Sequence, residues 1–346
     1  MSWKKLITCC SRTTSNKSSR RESSSLKNGG LLVEKLIRVS NGDYSPFCVF
    51  TEQELKQATK DYDQDLVCLV DDNYKLFQGV LENRGAVLIK KTNEHEELVE
   101  YCIREIAVAA YVSSNMNLVK LLGCCLESKV PIIVFEYVSG NLSDYLHNKK
   151  GVIPWRQRIR IAAQVADAIA YLHLGKPRPL IHRHVKTENV LLDDNLNAKL
   201  FDFGLSLEVP EGETSVQALV EGTIGFLAPE SVVTERFNEQ TDVFAFGATL
   251  IEILTEREPH NVFIGASDYM RNHDTTPVAE SSLISLSSPK RIDLFLMFLK
   301  ANLIRDGKDN ALEASAELAA SCVEILPEKR PTIEEVAKTL KHIQNM

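Results

Sequence analysis

The sequence has no uncharged apolar run approaching the ~18 residues that a membrane-spanning helix needs. Its best candidate, Val243 to Ile251, is nine residues long. No apolar stretch follows the basic N-terminus, so no secretory signal is expected. C-x-x-C pairs are missing too. The eight cysteines are Cys9, Cys10, Cys48, Cys68, Cys102, Cys124, Cys125 and Cys322, two sets of them adjacent. That pattern suits neither a zinc site nor a secreted disulfide framework, and points to a reduced, intracellular protein. Positive charge is not in excess. With a net charge of -7, general affinity for nucleic acid is not expected. Internal repeats are absent.

What remains is an average globular composition, 44% hydrophobic and 25% charged over 346 residues. It excludes a largely disordered or collagenous chain and leaves room for two compact units, or one large one, plus a tail. The charge is unevenly placed. Residues 1–30 carry Lys4, Lys5, Arg12, Lys17, Arg20, Arg21 and Lys27 against Glu22 alone, a net +6 that leaves -13 on the other 316. The same stretch is crowded with serine and threonine and nearly empty of large apolar side chains. It cannot bury enough surface to offset its ordering entropy, so a mobile tail is expected, closed by Asn28-Gly29-Gly30.

Residues 31–60 mix apolar and charged positions, with a turn near Asn41-Gly42-Asp43. Thr51 and Glu54 stand at capping-box spacing and predict a short helix. Strand patterns follow at 66–70, 75–81 and 86–90, separated by turns at Asp71-Asp72-Asn73 and Asn83-Arg84-Gly85. Leu98, Cys102, Ile106 and Ala109 form one apolar stripe and predict a helix over 96–113. Two more strands are expected near 118–122 and 131–137. Beyond Ser139-Gly140-Asn141 the pattern is mainly helical. Ile159, Ala162, Ala166, Ile169 and His173 mark one helix face, and Thr332 with Glu335 caps a last helix to about Ile343. The serine- and threonine-rich stretch 261–290 reads as a long loop. Five strands with one helix, then a larger helical region, is an α+β layout of two lobes.

Several short motifs, in order, resemble those of protein kinases. Val87-Leu88-Ile89-Lys90 resembles the strand whose lysine pairs ATP phosphates with a glutamate on the next helix, where Glu105 fits. Ile181-His182-Arg183-His184-Val185-Lys186-Thr187-Glu188-Asn189 resembles the catalytic loop, and Asp202-Phe203-Gly204 the metal-binding triplet. Gly222-Thr223 and Ala228-Pro229-Glu230 look like the end of an activation segment. Thr241-Asp242-Val243-Phe244-Ala245-Phe246-Gly247 looks like the central helix of the large lobe, and Arg330-Pro331 like its late arginine. The resemblance covers about residues 49–346. It implies a bilobal protein-kinase fold: a five-stranded antiparallel small lobe with one helix over 49–137, and a mainly helical large lobe over 140–346. Residues 1–48 would be a basic, serine-rich flexible tail and linker.

The departures carry as much weight. Phe77-Gln78-Gly79 looks like the tyrosine-lysine-glycine of plant receptor kinases, and counting back from it places the three phosphate-loop glycines on Leu69, Asp71 and Tyr74. All three are lost. Glycine serves there because backbone amides must approach phosphate without a Cβ in the way. If Asp71 faces the pocket, a carboxylate ~5 Å from one phosphate charge costs about 3 kcal/mol at an effective dielectric of ~20. That is about a hundredfold in affinity. His184 replaces the aspartate that accepts the substrate hydroxyl proton. A neutral imidazole can accept a proton, but it is bulkier and positions its acceptor differently.

The retained residues have two readings each. Lys90 and Glu105 can pair ATP phosphates or simply brace the small lobe. Asn189 and Asp202 can ligate magnesium or hydrogen-bond their loops. Lys186 keeps its place in the catalytic loop. No cofactor is assigned with certainty; weakly bound ATP with magnesium is the one these residues allow. Arg183 is the residue that neutralises a phosphorylated activation loop in kinases, and here the loop offers Thr214, Ser215 and Thr223. A solvated arginine beside ordinary loop hydroxyls is the alternative. Cys9-Cys10 beside Trp3, Lys4 and Lys5 has the form of a palmitoylation site with a polybasic patch. The alternative is a tail with chance cysteines.

The segment Phe50 to Thr59 looks like the entry of plant receptor-like kinases. Leu118 to Glu127 and Ala170-Tyr171-Leu172-His173 are similar to the wall-associated kinase group. With no ectodomain or membrane helix in front, the chain resembles a receptor-like cytoplasmic kinase. The basic start, degenerate phosphate loop and changed catalytic aspartate together resemble the pseudokinases related to the deficient kinase of effector-triggered immunity. That resemblance implies a catalytically inactive adaptor of plant innate immunity. Its partners would be an NLR immune receptor and other receptor-like cytoplasmic kinases or bacterial effectors, and it would act in the cytoplasm or at the cytoplasmic face of the plasma membrane. The alternative is an active or weakly active Ser/Thr kinase using His184 as base.

Overall fold

A computed structural model describes residues 19–147, 153–273, 289–303 and 309–346. The chain divides into two compact units. The first holds the described residues up to Gly140 together with Phe201–Ser206; the second holds the rest.

The first unit begins with α1 (Ser19–Ser40), where composition predicts a flexible tail. Its helical stripe Asn28, Leu32 and Leu36 is buried, which supplies the packing that composition alone does not promise. Asn28-Gly29-Gly30 therefore lies inside a helix, and Asn41, with φ of 50°, closes it in the left-handed region. Residues 1–18, including Cys9 and Cys10, lie outside the described residues.

A short strand β1 (Cys48–Val49) leads into α2 (Glu52–Ala58). Thr51 and Glu54 form the reciprocal capping box that their spacing predicts. Strands β2 (Val67–Val70), β3 (Tyr74–Leu81) and β4 (Gly85–Thr92) make the antiparallel meander, followed by α3 (Leu98–Val112), β5 (Leu121–Cys125) and β6 (Ile132–Glu136). The sheet runs β1-β5-β6-β4-β3-β2. It thus has six strands rather than five, because β1 adds in parallel to β5 with Cys48 opposite Gly123. The fit is close: a Cβ on Gly123 would collide with the Cys48 carbonyl oxygen. Among the described residues the unit has three α-helices; α2 and α3 fall where the pattern predicts helices, and α1 is the addition. Phe50, Leu55, Phe77, Val87, Ile89 and Val134 fill the core between α2 and the sheet.

The second unit contains β7 (Gly140–Asn141, which starts in the first unit), α4 (Leu142–His147), α5 (Trp155–Leu174), β8 (Leu180–Ile181), β9 (Val190–Leu192) and β10 (Ala198–Leu200). It continues with β11 (Leu207–Glu208), β12 (Val216–Gln217), α6 (Pro229–Thr234), β13 (Arg236–Phe237) and α7 (Glu239–Thr255). Helices α8 (Pro259–His273), α9 (Pro289–Asn302), α10 (Asp309–Cys322) and α11 (Ile333–Ile343) complete it. Helix α7 is buried without a break from Thr241 to Thr255 and forms the axis of the unit. The predicted stripe on α5, Ile159 to His173, is buried, and α11 packs against this helix. Thr332 and Glu335 form the expected capping box. The expected loop at 261–290 is helical up to His273; 274–288 lie outside the described residues. Phe263 stacks on Phe295 and meets Phe244 at a tilt, which supplies the apolar anchor that the serine-rich composition masks.

Candidate functional site

In the first unit, β4 places Lys90, α3 places Glu105 and the segment after β10 places Asp202. Lys90 Nζ donates to both Glu105 carboxylate oxygens, at 3.0 and 2.7 Å, and to Asp202 Oδ1 at 2.7 Å. An ammonium has three N–H donors, and three carboxylate oxygens match them. Burial alone would push the Lys90 ammonium down, but Asp202 and Glu105 outweigh it and hold the group above its ordinary range. Glu105 moves up: burial dominates, and the second carboxylate, Asp202, adds to it against the pull of Lys90. Asp202 has φ of 68°, and Arg104 on α3 donates to the Gly204 carbonyl at 3.2 Å.

An aromatic wall closes the cluster. The Tyr74 ring lies over Lys90 with its centroid 3.9 Å from Nζ, a cation–π contact. Phe201 stands edge-on to both Tyr74 and Phe135, at 6.3 and 5.2 Å between centroids. Tyr74 is the third lost glycine position and is only 3% exposed. The group that a kinase binds here is a nucleotide triphosphate with magnesium, and the residues present do not fit it. Every Lys90 donor is matched, a face of the ammonium is covered by a ring, and Asp202 Oδ1 is committed to Lys90. The carboxylate of Asp71 has another use than the one expected. It accepts from the Asn73 amide at 3.1 Å, while the Asp71 amide donates to the Tyr74 carbonyl at 2.9 Å. At the lost loop the Tyr74 ring is what lies on Lys90, while the Asp71 carboxylate closes its own turn. Leu69 lies on β2, paired with Leu76. Among the described residues no group of three or more His, Cys, Asp or Glu side chains is arranged to hold a metal.

In the second unit the catalytic-loop sequence is held by Asp242 of α7. Its carboxylate accepts from the backbone amides of His182 and Arg183 at 2.7 and 2.9 Å, and meets His173 Nε2 at 2.9 Å. Burial works against this carboxylate, yet the hydrogen bond and charge of His173 hold it below its usual range. Arg183 is thereby fixed with φ of 67°. Its guanidinium donates to the Leu219 carbonyl at 2.6 Å and lies 4.0 Å from the Phe237 ring centroid. His184 is half-buried, and its carbonyl accepts from Asn189 Nδ2 at 2.9 Å. Lys186 is buried, and its carbonyl accepts from the Asn189 amide. Of the activation-segment hydroxyls, Ser215 accepts from Arg236 at 3.0 Å, Thr214 is exposed and Thr223 half-buried. The late arginine Arg330 grips Glu230 through two parallel bonds at 2.7 and 2.8 Å, joining two motifs that the sequence shows a hundred residues apart.

Sequence reasoning identifies Tyr74 only as a missing glycine and misses Phe201 and Phe135. The aromatics flanking the lysine strand and the Asp202 triplet were the available signal. Motif spacing finds Asp242 and His173 but not their joint hold on the loop.

This is the constellation of a protein kinase. The family described as protein tyrosine and serine/threonine kinase matches residues 75–340. Putative wall-associated receptor kinase-like 16 of Arabidopsis thaliana is 34% identical over 320 residues, covering 91% of this chain and 71% of the relative. Wall-associated receptor kinase 2 of the same plant is 33% identical over 91% of this chain and 42% of its own length, and wall-associated receptor kinase-like 1 is 31% identical over 92% and 43%. The chain belongs to the protein-kinase family, in its wall-associated receptor kinase group. It spans less than half the length of most of these receptors. Among the described residues no helix is long and apolar enough to cross a membrane.

Proposed function

We propose that this chain is a non-catalytic member of that family and works as a protein-binding adaptor in plant innate immunity. The observation that carries the loss of catalysis is the Tyr74 ring seated on Lys90, at the position where a kinase keeps glycine for phosphate. His184 at the base position supports it, since the ring replaces the carboxylate that holds a substrate hydroxyl in line. The intact Asp242 scaffold and the Arg330–Glu230 pair keep the catalytic-loop and activation-segment surface folded for such a role. In this reading an NLR immune receptor is the fixed partner, and effector-modified receptor-like cytoplasmic kinases or the effectors themselves are the signal. The activation segment with Thr214, Ser215, Thr223 and Arg183 is the surface that senses them. The adaptor acts in the cytoplasm, held near the plasma membrane if Cys9 and Cys10 are acylated.

One observation favours the second reading, a weakly active Ser/Thr kinase. The Lys90–Glu105 pair is formed at 2.7 Å, as phosphoryl transfer requires. A single assay separates the two. Purified protein with magnesium-ATP and a general protein substrate should incorporate no more phosphate than its Asp202→Ala variant. Robust transfer that this substitution abolishes would establish the kinase instead.

A further inference from the structure

Helix α1 does more than cover surface. Asn28, 1% exposed, donates its side-chain amide to the carbonyls of Leu126 and Ser128, at 3.1 and 3.0 Å, in the turn after β5. One turn and two turns on, Leu32 and Leu36 are buried as α1 packs along α3. Lys35 reaches Glu100 in the first turn of α3 at 2.6 Å and holds that carboxyl below its usual range. Past the helix, the Ser45 amide donates to the Ala110 carbonyl at the far end of α3 at 3.0 Å. So α3 is tied near both ends, and the tie is anchored to the sheet.

Helix α3 needs such ties. Its N-cap Glu97 makes no side-chain cap hydrogen bond, and the first amides, of Leu98 and Val99, reach only the His95 and Glu96 carbonyls of the turn before it. It also carries Glu105, whose partner Lys90 would otherwise have only Asp202. In a kinase fold the position of the helix that bears this glutamate controls whether the pair forms. Here α1 packs along that helix from within the chain.

We propose that α1 is a built-in clamp that holds α3, and with it Glu105, in the Lys90-paired position, and that Asn28 is its positioning residue. The clamp sets α3 whether or not the chain transfers phosphate.

Cys102 is the natural reporter. It lies on α3, is 2% exposed, and its Sγ meets Thr92 Oγ1 at 3.2 Å. Cys124 on β5 and Cys322 on α10 are fully buried and serve as references in the same molecule. The experiment is site-resolved alkylation of the full chain by N-ethylmaleimide, read by peptide mass spectrometry. Asn28→Ala is compared with wild type, with Lys35→Met as a milder second variant that leaves the Asn28 anchor in place. The clamp predicts that Cys102 reacts at least about tenfold faster in Asn28→Ala, relative to both references, and shifts the same way in Lys35→Met. An unchanged Cys102 rate overturns it. So does a rise shared equally by Cys124, which would mean general loosening of the unit rather than release of α3. If Asn28→Ala does not fold, the Lys35→Met result decides alone by the same criterion.

Discussion

The ammonium of Lys90 lies 3.9 Å from the centre of the Tyr74 ring, while its three donors meet Glu105 and Asp202. A position lost from the phosphate loop has thus become a cover for the residue that would have met phosphate. The cluster is complete without a nucleotide.

On the proposed reading Lys90 is structural. Lys90→Met would leave two buried carboxylates without a cation, and loss of one partner of a buried pair costs about 3–5 kcal/mol. Denaturant unfolding of the first unit should show a loss of this order. A loss below about 1 kcal/mol would mean that the triad is not formed in solution.

Two glycines of the first unit should respond in opposite directions. Gly30 lies within α1, and no neighbouring atom comes within 4 Å of the place a Cβ would take, so Gly30→Ala should stabilise by about 0.5–1 kcal/mol. Gly123 faces the Cys48 carbonyl and the Phe50 ring so closely that Gly123→Ala must push β1 away from β5. It should destabilise by about 1–3 kcal/mol. Thermal melts of the two variants check both signs, and a destabilised Gly30→Ala would contradict α1 as a formed helix.

Glu252 on α7 gives the pH dependence. Burial pushes its carboxyl up to about 7; Glu188 adds to this, while His147 and Thr187, at 2.7 and 3.0 Å, work against it. The folded state then holds a proton that the unfolded state has released from about 4.5 upward, so this group's contribution to stability falls as pH rises to about 7. Asp242, held low, works the other way and gives up its contribution only in acid. Glu252→Gln should therefore gain on wild type between pH 4.5 and 7, by about 3 kcal/mol. A stability difference that stays flat across that window would contradict the buried proton.

Much of this was legible in the sequence where the signal is local. The capping boxes at Thr51 and Thr332, the β2–β4 meander and the stripe on α5 each come from neighbours in sequence, and each is present. The Lys90–Glu105 pair was legible through motif spacing. Helix α1 was not, because its serine-rich start and two glycines have poor helix propensity, and its stability comes from contacts such as Asn28 to Leu126 that are remote in sequence. The role of Tyr74 was hidden for the same reason. A count along the strand shows that a glycine is missing, but only the fold shows that the ring replacing it lies on Lys90.

Nucleotide titration of wild type against Tyr74→Gly tests the central claim most directly. With magnesium-ATP in excess, the wild-type protein should show no change in melting temperature, because Tyr74 holds the phosphate side of Lys90. The glycine variant, with the ring removed, should melt lower without nucleotide and gain a concentration-dependent rise with it, following the linkage between binding and stability. A concentration-dependent rise of several degrees in the wild type, equal to that of the variant, would contradict the account.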